Sequence, residues 1–285
     1  MHEASKTQIS AEQIAVEGVS TKQISARQSQ FLKELKKHRL FVQSARVILL
    51  VGFLLLWEVT SYFDIIDSFI FSSPSKVALC FWSMVLDKSI FTHIGTTLYE
   101  TIVSFLLVTV ISILLATILW FSKKSSEISE PFLVVLNSLP KSALAPLLIV
   151  WLGATPTTII VAGMSVAIFG SILNLYTSFM SVEEETLKLI YTLGGKRRHA
   201  LIKVVIPSSV PAIISNMKVN IGLCLVGVVI GEFLAARNGL GYLIIYSSQV
   251  FKMDWLLMSI VILCIIAIAL YGIIGIVEKW YLKRL

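Results

Sequence analysis

Residues 181–211 read SVEEETLKLIYTLGGKRRHALIKVVIPSSVP, a polar interval between two long apolar runs. At about 30 residues it is too long for a tight turn and too charged to cross a bilayer. Leu187, Ile190, Tyr191 and Leu193 recur at helical spacing, with Lys188 among them. Glu183, Glu184 and Glu185 stand ahead of that pattern, where acids favour the positive end of a helix dipole. Gly194-Gly195 is predicted to break this helix. A second short helix is predicted over 196–206, with Arg197 near its start and Pro207 stopping it.

Outward from this interval the chain is apolar. It is 56% hydrophobic and 14% charged, against about 25% charged in a soluble domain. A spanning helix needs roughly 20 mainly apolar residues. Six runs meet or approach that length: 47–63, 97–121, 132–152, 158–180, 212–235 and 255–277. A shorter stretch of mixed polarity, 74–86, is expected at the membrane interface or packed as a non-spanning helix. The expected fold is therefore an all-α polytopic bundle of about six membrane helices. Basic residues fall mainly in the tail before the first run, after the second, in 181–211 and at the end of the chain. By the positive-inside rule those segments and both termini are cytoplasmic.

Four regions follow: a polar and basic tail over 1–40, the first span with the interfacial helix over 41–91, a transmembrane core over 92–280, and a short cytoplasmic end over 281–285. The tail lacks the apolar stretch of a cleavable leader, so the first run is expected to be an uncleaved span. Gln8–Gln13 is echoed by Gln23–Gln28, a repeat without a functional account. The net charge of +7 lies in clusters between apolar runs, which fits a membrane surface and not nucleic acid. Cys80, Cys224 and Cys264 have neither metal nor redox spacing, and the four histidines are scattered. Neither a catalytic constellation nor a metal site is expected.

The pattern of Gly194, nine residues, then Val204-Val205-Ile206-Pro207 resembles the cytoplasmic signature of type I ABC importer permeases. That signature is written Glu-Ala-Ala, three residues, glycine, nine residues, Ile-x-Leu-Pro; here Lys188-Leu189-Ile190 replace Glu-Ala-Ala. Three further stretches are similar to the nitrate/sulfonate/taurine branch of that family: Ser72–Val77, Leu139–Leu147, and Glu232 followed by Gly239–Ile244. The resemblance implies a multi-pass protein of the bacterial inner membrane. It also implies that 181–207 is a coupling segment docking on a separate ATPase. It further implies two ATPase subunits, a second permease copy forming a homodimer, and an extracytoplasmic binding protein that delivers a small polar solute. The cargo would be a sulfonate, taurine, nitrate or vitamin precursor. No P-loop occurs in this sequence, so no cofactor is expected on the chain, and ATP and Mg would sit on the partner.

Buried polar groups in membrane spans face protein or water. Asn137, Ser138, Lys141, Ser165, Asn174 and Glu232 are candidates for the translocation pathway, with Lys141 suited to an anionic solute. Lys141 has a competing role as a paired or snorkelling charge, and the small polar residues a competing role in helix contacts. Glu58 and Glu100, near span ends, are expected to reach the interface. Two other functions fit the composition: an ion-coupled secondary transporter, or a membrane scaffold that recruits a cytoplasmic protein.

Overall fold

The computed structural model describes residues 37–283 apart from Arg39 and Asp64. The tail with its repeat, and Lys33, Lys36, Arg39 and Arg284, lie outside the described residues. The chain divides after Ile66 into two units. The first contains α1 (Leu40–Tyr62), long and apolar enough to span. It starts seven residues ahead of the expected run, passing through Gln43 and Arg46. Its last turn is tightened by Thr60, whose Oγ1 donates to the carbonyls of Leu56 and Trp57.

The second unit is helical from Asp67 onward. After α2 (Ser68–Phe71), α3 (Pro74–Leu86) opens with Pro74 in its first turn and the Ser73 hydroxyl accepting from the Lys76 N–H. At 13 residues it is too short to span. It packs instead, with Met84 buried and Val77 and Cys80 against a cluster containing Met258 and Ile262. Next come α4 (Ser89–Phe121), α5 (Lys123–Ser138), α6 (Lys141–Leu152), α7 (Pro156–Met180) and α8 (Glu184–Thr192). The chain closes with α9 (Arg197–Ala200), α10 (Ile206–Ala235), α11 (Leu240–Gln249) and α12 (Met253–Leu282).

The core is the packing of α4, α7 and α10. Close approach of α7 and α10 depends on glycine: a Cβ on Gly227 would lie 2.8 Å from the Cα of Gly163 and 2.9 Å from the Ala162 carbonyl. Small residues at such crossings let dispersion act where lipid supplies no hydrophobic drive. Along the bundle, Phe105, Val108, Ala167, Ile221 and Cys224 form one buried cluster, and Trp120, Leu175, Phe179, Ala200 and Val205 form another.

Two expectations are corrected. The run 132–152 is not one helix: α5 and α6 meet at a 97° bend. Leu139 precedes Pro140, and the proline ring drives the preceding residue out of the helical region, here to φ −62°, ψ 140°. Apolar continuity concealed the break. Nor does Pro207 end a helix, because helical backbone runs from Arg197 to Ala235. Leu201–Val205 widens into a π turn, and Pro207 falls in the first turn of α10. A proline there loses little, since its missing N–H is one that the wider turn leaves without a regular acceptor.

Candidate functional site

Helix α8 begins with Glu183 as N-cap and Glu184 and Glu185 in its first turn. Its end is fixed by backbone alone. The Gly195 N–H donates to the Ile190 carbonyl at 2.9 Å and the Gly194 N–H to that of Tyr191 at 3.0 Å, with Gly194 at φ +79°. This paired closure needs a left-handed residue, which glycine adopts without a Cβ clash. The chain then turns into α9, where the Lys196 N–H donates to His199 Nδ1.

The hairpin of α8 and α9 has an inner and an outer side. Leu187 and Ile190 pack on the cluster of Trp120, Phe179, Ala200 and Val205. Arg197 pins the turn to the end of α4, with Nη2 donating to the Trp120 carbonyl at 2.7 Å and its guanidinium 5.1 Å from the Trp120 ring centroid. A cation suits the negative end of a helix, so this arginine is occupied inside the chain. Leu189 and Leu193, four residues apart, remain 58% and 76% exposed, with Tyr191 at 44%. Lys188, Lys196 and Arg198 are exposed around them. Lys188 reaches back to Glu184 at 3.1 Å. The result is an apolar crest with acids at one end and bases at the other, held rigidly from behind.

The polar residues of the membrane core divide into two groups. At the α5–α6 bend, Lys141 Nζ donates to the carbonyls of Leu136 at 2.8 Å and Asn137 at 2.6 Å. Those carbonyls end α5 and have no helical acceptor role left, so the lysine closes the break. It also lies 5.8 Å from the Phe169 ring centroid. Asn137 Oδ1 sits over Gly170, within 3.1 Å of where a Cβ would stand. Exposed Asn174 is one turn further along α7. The hydroxyls of Ser138 and Ser165 turn back onto their own helices, at the carbonyls of Val134 and Ala162. Asn137 and Lys141 thus meet α7 at Gly170 and Phe169. Ser171 is in helix contact instead, accepting from Asn216 and Asn220 of α10, two residues the sequence reading passed over.

Glu232 lies apart from these residues. It is fully buried at the far end of α10 from the hairpin. Thr97 Oγ1 donates to its Oε1 at 2.6 Å and the Gly241 N–H to its Oε2 at 2.6 Å. Thr97 Oγ1 in turn accepts the Leu240 N–H at 2.8 Å. Gly239 and Gly241 are explained by this carboxylate: a Cβ would lie 2.3 Å from Oε1 at 239 and 2.7 Å from Oε2 at 241. Gly239 also has φ +113° and donates its N–H to His93 Nδ1, whose ring stacks on Tyr242. Glu100, expected at the interface, is 1% exposed, one turn along α4 from Thr97. Because α4 starts eight residues earlier than the expected run, Glu100 stands three turns inside the helix and not at its end. Lys218 pairs with Glu278 of α12. Among the described residues no cluster of three or more His, Cys, Asp or Glu could hold a metal ion.

Residues 108–284, from the middle of α4 to the end of the chain and including the whole hairpin, match the family of binding-protein-dependent transport system inner membrane components. The chain belongs to this family. It is the membrane-spanning permease subunit of an ABC importer, and the ion-coupled and scaffold readings fall away. Among relatives, the riboflavin transport system permease protein RibX of Chloroflexus aurantiacus is 28% identical over 81% of this chain and 87% of its own length. The putative aliphatic sulfonates transport permease protein SsuC of Bacillus subtilis is 22% identical, over 80% and 83% respectively. The inward-facing methionine ABC transporter MetNI has the same fold, with a TM-score of 0.61 at 14% identity, covering 68% of the permease and 96% of the MetNI chain. The family works with an ATPase and a substrate-binding protein, and the permease is its multi-pass inner-membrane component.

Proposed function

We propose that separate ATPase subunits drive this permease by gripping the hairpin of residues 181–207, holding ATP and Mg while the permease holds neither. The observation that carries the reading is the two-sided hairpin. Leu187, Ile190 and Arg197 tie it to the ends of α4, α7 and α10, whereas Leu189, Tyr191 and Leu193 stay exposed among the described residues. A grip on that crest moves α10 directly, since α9 and α10 are one continuous helix. A second identical copy would complete the pathway, with Asn137, Ser138, Lys141, Ser165 and Asn174 as candidate lining residues. The cargo is a small polar solute of the sulfonate, taurine, nitrate or vitamin-precursor type, delivered by the binding protein. RibX and SsuC, of similar likeness to this chain, carry names for different cargoes, which fits selection by the binding protein.

The test is affinity purification of the tagged permease in mild detergent, beside the double variant Leu189→Asp, Leu193→Asp. Co-purification of a P-loop ATPase with the wild-type chain and its loss from the equally stable variant is expected. An ATPase retained by the variant would remove the crest from the coupling role.

A further inference from the structure

Between α10 and α12 runs a groove of about 340 Å³, and every side chain lining it is apolar but for the Tyr271 hydroxyl. Ile221 and Leu225 of α10 are buried and form its floor, whereas Ile268 and Tyr271 of α12 are 73% and 55% exposed. Gly222 keeps the groove open: among the described residues nothing lies within 4 Å of a Cβ there. Both helices are long and apolar enough to span the membrane. One end of the groove carries charge. Lys218, one turn before Gly222 on α10, pairs with Glu278, two turns beyond Tyr271 on α12. The Lys218 ammonium also lies 5.4 Å from the Tyr271 ring centroid, and its stem passes 3.7 Å from where a Cβ on Gly275 would stand.

This ion pair lies at the cytoplasmic end of the groove, which Lys279 and Lys283 mark by the positive-inside rule. Trp280 and Tyr281 follow Glu278 directly, and such rings collect at the headgroup level. Tyr271 and Ile268 stand two to three turns deeper, about 10–15 Å into the hydrocarbon. The two charges stay within reach from outside, with 17% and 26% of their side chains exposed. An ammonium has three donors and a carboxylate about four acceptor sites, so one mutual contact leaves most of both unused.

We propose that the groove holds one phospholipid of the cytoplasmic leaflet whose headgroup carries both a phosphate and a primary ammonium. One acyl chain lies along Ile221, Gly222 and Leu225, the phosphate meets Lys218, and the ammonium meets Glu278. Charge complementarity selects this class of lipid. A headgroup of net negative charge gains at Lys218 and loses at Glu278, while a zwitterionic one gains at both. The bound lipid ties α12 to α10, the helix that continues into the hairpin.

The test uses the full-length permease in nanodiscs of equal phosphatidylethanolamine and phosphatidylglycerol, released into mild detergent for native mass spectrometry of retained lipid. Wild type should keep one phosphatidylethanolamine, about fivefold over phosphatidylglycerol. Gly222→Leu fills the groove without touching either charge, and retention should fall about tenfold or more. Glu278→Gln should bring the two lipids close to parity. Undiminished retention in Gly222→Leu would overturn the groove as the site, and a wild type without preference would overturn the headgroup assignment. A wild type that keeps neither lipid would overturn the proposal outright. A thiol crosslink between copies gained by Ile268→Cys over wild type would then give the groove to a second permease. Should Glu278→Gln not fold, the wild-type preference and Gly222→Leu decide alone. Neither the ATPase nor the cargo enters the readout, so the result is independent of the coupling role.

Discussion

The hairpin at residues 181–207 and the carboxylate knot around Glu232 sit at opposite ends of one helix, and they use polar residues in opposite ways. From Arg197 to Ala235 the helix has 39 residues, about 58 Å at 1.5 Å per residue. At the hairpin the side-chain charges face outward and the fold is held by backbone hydrogen bonds, apolar packing and one arginine. At the knot the charged group is the structural centre and the backbone is arranged around it, down to two glycines that leave it room. The lesson concerns tolerance. Changing a hairpin side chain alters what a partner meets, while changing a knot residue alters whether α4, α10 and α11 stay together.

The knot should therefore give the largest stability effect. Gly239→Val places a β-branched residue at φ +113° and drives its Cβ into the Glu232 carboxylate. Backbone strain plus overlap should cost about 3–5 kcal/mol, read as a large fall in Tm of the purified protein in detergent. A variant with wild-type Tm would show that the recess is slack and the contrast between the two ends false.

Glu232→Ala comes next. It removes the acceptor for the Thr97 hydroxyl and the Gly241 N–H, both buried. Leaving these groups without partners should cost about 2–4 kcal/mol. Hydrogen exchange should rise over 236–243 and not over 184–200. If exchange rose equally at both ends, the helix would be transmitting the loss and the two regions would be one cooperative unit.

The hairpin's own weak point is Gly194. Gly194→Val puts a β-branched side chain at φ +79°, at a strain cost of about 1–3 kcal/mol. Among the described residues nothing lies within 4 Å of a Cβ there, so the damage is conformational. Exchange should rise over 184–200, ATPase co-purification should fall, and Tm should move less than for Gly239→Val. A Tm loss equal to that of the knot variant would mean that the hairpin helps hold the bundle.

The two ends also differ in how far the sequence revealed them. The hairpin was legible because its signals are local: three acids before a helical pattern, then Gly-Gly, all within a few residues. Most spans were legible for the same reason, as continuous apolar length. The knot was not, since it joins Thr97 to Glu232 and Leu240 across more than 130 positions. The pairing of Glu with Gly239 and Gly241 was visible as a pattern but not as a carboxylate filling the space of absent side chains. The bend is half legible: Pro140 and Pro146 mark a place where a helix bends, but the apolar continuity of 132–152 hides that the break reaches 97°. Pro207 reads as a stop although the helix continues, because a π turn ahead of a proline leaves no mark in hydropathy.

The smallest effect on stability should come from Lys188→Ala, which sharpens the contrast most. Lys188 occupies the first position of the Glu-Ala-Ala triplet in the family signature, and its ammonium meets Glu184 one turn back with both side chains largely exposed. Exposed pairs of this kind contribute little, because water and salt screen them and two long side chains must be ordered. Alanine is also a good helix former, and α8 is closed by the Gly194 and Gly195 backbone bonds regardless. Tm and exchange over 184–200 should therefore match wild type. Any change in ATPase co-purification must then arise from what the lysine offers a partner, and should shrink as salt is raised if that offer is its charge. Loss of hairpin protection in Lys188→Ala would instead make this side chain structural, and the separation between an outward-facing end and an inward-held end would fail at its most exposed residue.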